Sequence, residues 1–200
     1  MTVNMDITEI FCFIDDFCKY FEPIWKKKLL EDGKVRRNRK GLMSLSEIMT
    51  ILILYHQSRM KTFKDFYLKI VMVHYRSYFP KLLSYNRFLA WIPRTIVPFG
   101  YLFLFTRGKC TGVSFIDSMP IKVCHQRRIR RHRVFKNLSE RGHSSMGWVY
   151  GFKLHTVINH LGEIVDICIT SGNLHDTKMV PKLSKHLFGY LFGDKGYISK

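Results

Sequence analysis

Two hundred residues and 23.8 kDa leave room for one mid-sized domain or two small ones. A hydrophobic content of 46% with a mean hydropathy of −0.07 excludes wholesale disorder. Thirty-three Lys and Arg against fifteen Asp and Glu leave a formal charge of +18, so an anionic partner is expected, nucleic acid first. The five cysteines (Cys12, Cys18, Cys110, Cys124, Cys168) are odd in number and scattered, with no Cys-x-x-Cys pair. That argues against a disulfide framework or zinc ribbon and for a reducing compartment. Asp6, Glu9, Asp15 and Asp16 occupy the place of a basic signal-peptide start. The longest apolar runs, Ile48 to Tyr55 and Ile96 to Phe105, fall short of the ~20 residues that span a bilayer. The expectation is a cytoplasmic protein with no membrane partner.

In chain order, Ile7, Ile10, Phe11, Ile14, Phe17, Cys18 and Phe21 recur at threes and fours and predict a helix over 7–30. Lys34, Arg36, Arg37, Arg39 and Lys40 then read as an exposed basic loop between Gly33 and Gly41. Ser44 and Glu47 fit a capping box that opens a helix through Tyr55. Helical segments follow over 62–74 and 84–91, and Pro93 and Pro98 are expected to interrupt what comes next. After Gly112 the period changes. Val113 to Ile116 reads as a short strand ended by Asp117, with Pro120 limiting its extension. Residues 151–158 and 164–170 alternate around Asn159-His160-Leu161-Gly162 as a hairpin, with Phe152, Leu154, Thr156 and Ile158 sharing a face. Met179, Leu183 and Leu187 stripe a helix, and Tyr190 to Phe192 is a short strand.

The acids are distributed unevenly. Between Phe66 and Ser139 the only carboxylate is Asp117, among fourteen Lys and Arg. Asp117 and Asp194 each follow a short apolar strand, and strand C-termini are where sites are assembled. Two carboxylates meeting there repel unless a cation lies between them, and such hard oxygen ligands suit Mg²⁺ or Mn²⁺. For either Asp alone, capping a turn is the simpler reading. For the pair on so basic a chain, metal is favoured.

The run His125 to Lys136 holds Arg127, Arg128, Arg130, Arg131, Arg133 and Lys136 and no acid. Such density self-repels until it meets phosphate, which predicts nucleic-acid binding without sequence readout. Cys124-His125, His132 and His143 match no zinc spacing. His175-Asp176 reads as helix-start capping, with direct catalysis second. Some of the aromatic residues, 14% of the chain, could stack on bases; most are expected in the core.

Phe115-Ile116-Asp117-Ser118, Gly151-Phe152-Lys153-Leu154-His155, Ser171-Gly172-Asn173-Leu174-His175-Asp176 and Gly193-Asp194-Lys195-Gly196-Tyr197-Ile198, in that order, resemble the motifs of bacterial insertion-sequence DDE transposases. Ile53-Leu54-Tyr55-His56 and Ser84-Tyr85-Asn86-Arg87-Phe88 resemble the group numbered nine-eighty-two in particular. The resemblance implies an α/β protein: a helical N-terminal region over 1–108 that binds DNA ends, and an incomplete ribonuclease-H-like mixed-sheet domain over 109–200. It implies Asp117 and Asp194 as catalytic metal ligands, two Mg²⁺ or Mn²⁺ ions in an intact site, and strand cleavage and transfer at element ends. Double-stranded DNA (ends and target) is the implied partner, with a homo-oligomer on DNA. The family's third acid, a Glu on a later helix, has no counterpart before Lys200, and Glu163 lies out of motif order. The expectation is therefore a C-terminally truncated transposase, inactive alone and prone to aggregate. The alternative is a non-catalytic basic DNA-binding fragment. A basic RNA-binding accessory protein would explain the charge but not the two aspartates.

Overall fold

The computed structural model describes residues 6–33, 41–144 and 147–197 and has an α/β fold: a helical N-terminal part, then a mixed five-stranded sheet. The basic stretch 34–40 and Ile198 lie outside the described residues. The chain divides into two compact units, Met1–Phe105 and Thr106–Lys200.

In the first unit, α1 (Ile7–Glu31) opens on a capping box in which the Asp6 side chain and Glu9 satisfy each other's backbone N–H groups. It runs on through Pro23. Helix α2 (Leu45–Gln57) opens on the Ser44–Glu47 box, as the spacing predicts. The segment expected over 62–74 is helical but divided: α3 (Phe63–Asp65), a π-helical stretch (Phe66–Val71) and α4 (Met72–His74). The π-helical stretch buries Phe66, Tyr67 and Val71, and the Tyr67 hydroxyl donates to the Leu83 carbonyl at 2.6 Å. Ile10, Ile14, Phe17 and Phe21 of α1 pack with Ile48, Met49 and Ile51 of α2 and with Phe88 in one core.

The prolines do not interrupt the next segment. Pro93 sits early in a 3₁₀ turn (Ile92–Thr95) that joins α5 (Tyr85–Trp91) to α6 (Ile96–Thr106), and Pro98 lies in the first turn of α6. A first turn has no N–H to lose, so proline is tolerated there. The joined helix, Tyr85–Thr106, is 22 residues long, and an 18-residue window within it has mean hydropathy 1.5 and is only 22% buried. By length and composition it could cross a membrane, which the separate apolar runs could not.

In the second unit, β1 (Val113–Cys124) continues well past Asp117, against expectation. It pairs antiparallel with β3 (Gly147–Asn159) along most of its length and parallel with β5 (Tyr190–Gly193) only from Val113 to Ile116. Beyond Ile116 no described strand flanks that edge, so Pro120 can sit opposite Lys153 with its missing N–H turned outward. The other edge of β3 is shared by β2 (Glu140–Ser144), which the sequence reading missed, and β4 (Ile164–Ser171). The β3–β4 hairpin turns at Asn159–Gly162, with Gly162 at φ +81°. A 3₁₀ turn (Asp176–Met179) and α7 (Val180–Leu183) lay Met179 and Leu183 on the sheet beside Ile116, Val157 and Tyr197.

The alternation along β3 is as predicted, but the apolar face is not the buried one. Leu154, Thr156 and Ile158 are half-buried, whereas His155, Val157 and Asn159 are buried. Polar side chains occupy the covered face because each has partners there. Asn159, for instance, donates to the Lys109 carbonyl at 3.0 Å and to Glu163 at 2.7 Å.

Candidate active site

Asp117 and Asp194 are brought together by register. Ile116 of β1 faces Gly193 of β5 in the parallel pair, so the next residue on each strand is an aspartate. Asp117 is therefore a mid-strand residue standing where β1 loses its neighbour, while Asp194 leaves β5 at its C-terminal end. Both are exposed. Each also caps its own backbone: Asp117 Oδ1 accepts the Ser118 N–H at 2.7 Å, and Asp194 Oδ1 accepts the Gly196 N–H at 3.0 Å at the start of a 3₁₀ turn (Lys195–Tyr197).

A third carboxylate lies nearby. A Cβ added at Gly196 would stand 3.1 Å from Asp194 Oδ1 and 3.2 Å from Asp176 Oδ2, so the two side chains converge on that glycine. Tyr197 feels all three acids. Burial pushes its phenol up to about 12, a hydrogen bond from Ser118 opposes this, and the charges of Asp176, Asp117 and Asp194 add to the rise. Its hydroxyl stays protonated and neutral beside the acids.

Asp176 is held from below. Lys153 Nζ donates to Asp176 Oδ1 at 2.9 Å and to the Leu174 carbonyl at 3.0 Å, both side chains being mostly buried. His155, two residues along β3 on the same face, is fully buried. Its Nδ1 shares a hydrogen bond with the Tyr197 hydroxyl at 3.1 Å and its Nε2 with Thr170 Oγ1 at 3.0 Å. Burial lowers its pKa; Asp176 at 4.0 Å opposes that and Lys153 reinforces it. The imidazole is neutral at pH 7. As the reading of His175-Asp176 as a helix start expects, His175 is the cap position and Asp176 the acid in the first turn, where the helix dipole favours it. Lys153, His155 and Tyr197 had no assigned role. The signal that could have found them is polarity on the covered face of an alternating strand.

Among the described residues neither Asp117 nor Asp194 joins an ion pair, so no described cation balances either charge. Two adjacent hard-oxygen donors of this kind fit a divalent ion. No group of three or more Asp, Glu, His or Cys among the described residues is arranged to hold one, and Lys153 engages Asp176 Oδ1.

The basic run is partly structured. Gln126–Arg131 forms a 3₁₀ turn, and Arg127, Arg128, Arg130, Arg131, Arg133 and Lys136 are all exposed and unpaired with any described carboxylate. Ile129 and His132 are half-buried; the His132 ring packs on Phe135 and edge-on to Tyr150.

Residues 107–200 match the family model described as a transposase DDE domain, which spans the whole sheet and both aspartates. The match supports a DDE-type transposase. No curated protein and no solved structure gives a match.

Proposed function

We propose that this chain acts in DNA transposition as a DDE transposase whose second unit is a ribonuclease-H-like catalytic domain. The observation that carries the reading is the β1–β5 register, which brings Asp117 and Asp194 level at the end of β5 within a matched transposase domain. Asp117 and Asp194 would hold a divalent ion, Mg²⁺ or Mn²⁺, which when bound supplies an activated oxygen nucleophile and charge stabilisation for phosphodiester cleavage and joining. The protein's own residues orient that site. Lys153 fixes Asp176, His155 and Tyr197 tie the 195–197 turn to β3, and the turn in turn aims Asp194. The exposed arginines of 127–133 and Lys136 take the DNA backbone, on which copies of the chain would assemble.

With Asp176 engaged by Lys153, the site keeps only Asp117 and Asp194 as carboxylates outside an ion pair among the described residues, so cleavage by residues 1–200 is slow. A supercoiled plasmid incubated with Mn²⁺ should be nicked slowly, only with metal, and not by Asp117→Asn or Asp194→Asn. Nicking that survives both replacements would contradict the assignment. The second reading, a non-catalytic DNA-binding protein, is favoured by one observation: both aspartates already serve as backbone caps. It predicts unchanged DNA binding and no metal-dependent nicking at all.

A further inference from the structure

Trp148 is out of place for a structural residue. It lies near the start of β3, 58% exposed, although tryptophan is on average a largely buried residue. Its neighbours are cationic or aromatic. The Arg141 guanidinium stands 5.9 Å above its ring centre, and His143, its cross-strand partner on β2, meets it edge-on at 5.3 Å. Its backbone is tied to the arginine run: Gln126 Nε2 donates to the Trp148 carbonyl at 2.9 Å, and Arg141 Nη2 donates to Gln126 Oε1 at 3.4 Å. Gln126 opens the turn that carries Arg127 to Arg131.

We infer that Trp148 is a stacking platform for a nucleobase released from pairing at a DNA end. The inference rests on the DNA-binding part of the function proposed above. Phosphates held by the arginines bring a strand to the hairpin, and the indole offers a flat face of the kind that stacks on a base. Within a continuous duplex both faces of every base are already covered by neighbours. Only an unpaired base, or the last pair at an end, has a face for the ring. Arg141 above the indole adds a planar cation that can flank the same base.

The test is DNA binding by the full chain at fixed salt, followed by fluorescence anisotropy. The probes are a covalently closed circle (used as competitor), a blunt duplex, and the same duplex with a short single-stranded thymine overhang. The unmodified protein should prefer the overhang duplex roughly tenfold. Trp148→Ala should abolish that preference and leave competition by the circle unchanged, while Trp148→Phe retains most of it. Blunt-end affinity should be unchanged in Trp148→Ala; an equal loss on the blunt duplex assigns the ring to the intact terminal pair and overturns the unpaired-base site. Equal affinity of the unmodified protein for all probes, or a preference that persists in Trp148→Ala, overturns the stacking site alone. Failure to bind any probe overturns it together with the DNA-binding reading, and the plasmid-nicking result bears on neither outcome.

Discussion

His155 shows how a single buried side chain makes this site sensitive to pH. Thr170 from β4, Tyr197 from the turn after β5, Asp176 and Lys153 all face its ring. Its pKa is lowered in the fold, so the unfolded chain takes up the proton first. The stability it contributes is complete above the unfolded value of about 6.5 and is lost as pH falls through the folded value. Amide exchange in β3, corrected for intrinsic rates, should accelerate below pH ~6.5, and His155→Gln should flatten that change. Protection that is independent of pH across this range would contradict the account. The Lys153–Asp176 pair makes a separate prediction. Lys153→Met leaves a mostly buried carboxylate without its partner and should cost about 3 kcal/mol in urea unfolding, near the low end for a broken buried pair. Lys153→Met combined with Asp176→Asn should recover much of the loss, because no lone charge remains. A double variant no more stable than Lys153→Met would mean that the pair does not act as a unit.

Among the elements, the strand crossings depend on glycines at which no side chain fits. A Cβ at Gly142 of β2 would drive into the Gly172 carbonyl, and one at Gly151 of β3 into the Ile121 carbonyl. Gly142→Ala or Gly151→Ala should therefore destabilise the second unit by at least the ~1–3 kcal/mol of an overpacked core, read as a lower urea midpoint. Gly100→Ala in α6 meets open space and is the control. The helices of the first unit were legible because their signals are local: the apolar period from Ile7 to Phe21 announces α1 and the Ser44–Glu47 box announces α2. The extent of β1 was not legible. Pro120 reads as a stop, and is tolerated only because β5 ends at Gly193 and leaves that edge of β1 without a described neighbour. Strand β2 was hidden by its composition, since Glu140, Arg141 and His143 give no apolar alternation, and pairing with β3 alone makes it a strand. Asp117 and Asp194 stood out as acids in basic or apolar surroundings. Asp176, Lys153, His155 and Tyr197 did not, because a buried polar network is defined by partners far apart in sequence: 42 residues separate His155 from Tyr197.

For the whole molecule, a charge of +18 with the arginine run unpaired makes DNA affinity a matter of ion release. Replacing Arg127, Arg128, Arg130, Arg131 and Arg133 with Gln should lower the log–log salt slope by up to ~0.9 for each phosphate no longer neutralised, measured on blunt duplex. An unchanged slope would assign phosphate binding to other cations of the chain. The central claim concerns the two aspartates, and it is tested most directly by Mn²⁺ binding, followed through the decline of the free-ion electron paramagnetic resonance signal. The unmodified chain should sequester Mn²⁺, and Asp117→Asn and Asp194→Asn should each weaken that binding tenfold or more, with little further weakening when combined, because both ligate one ion. Binding of equal strength in all four proteins, or no binding in the unmodified chain, would contradict the account and leave the aspartates as backbone caps.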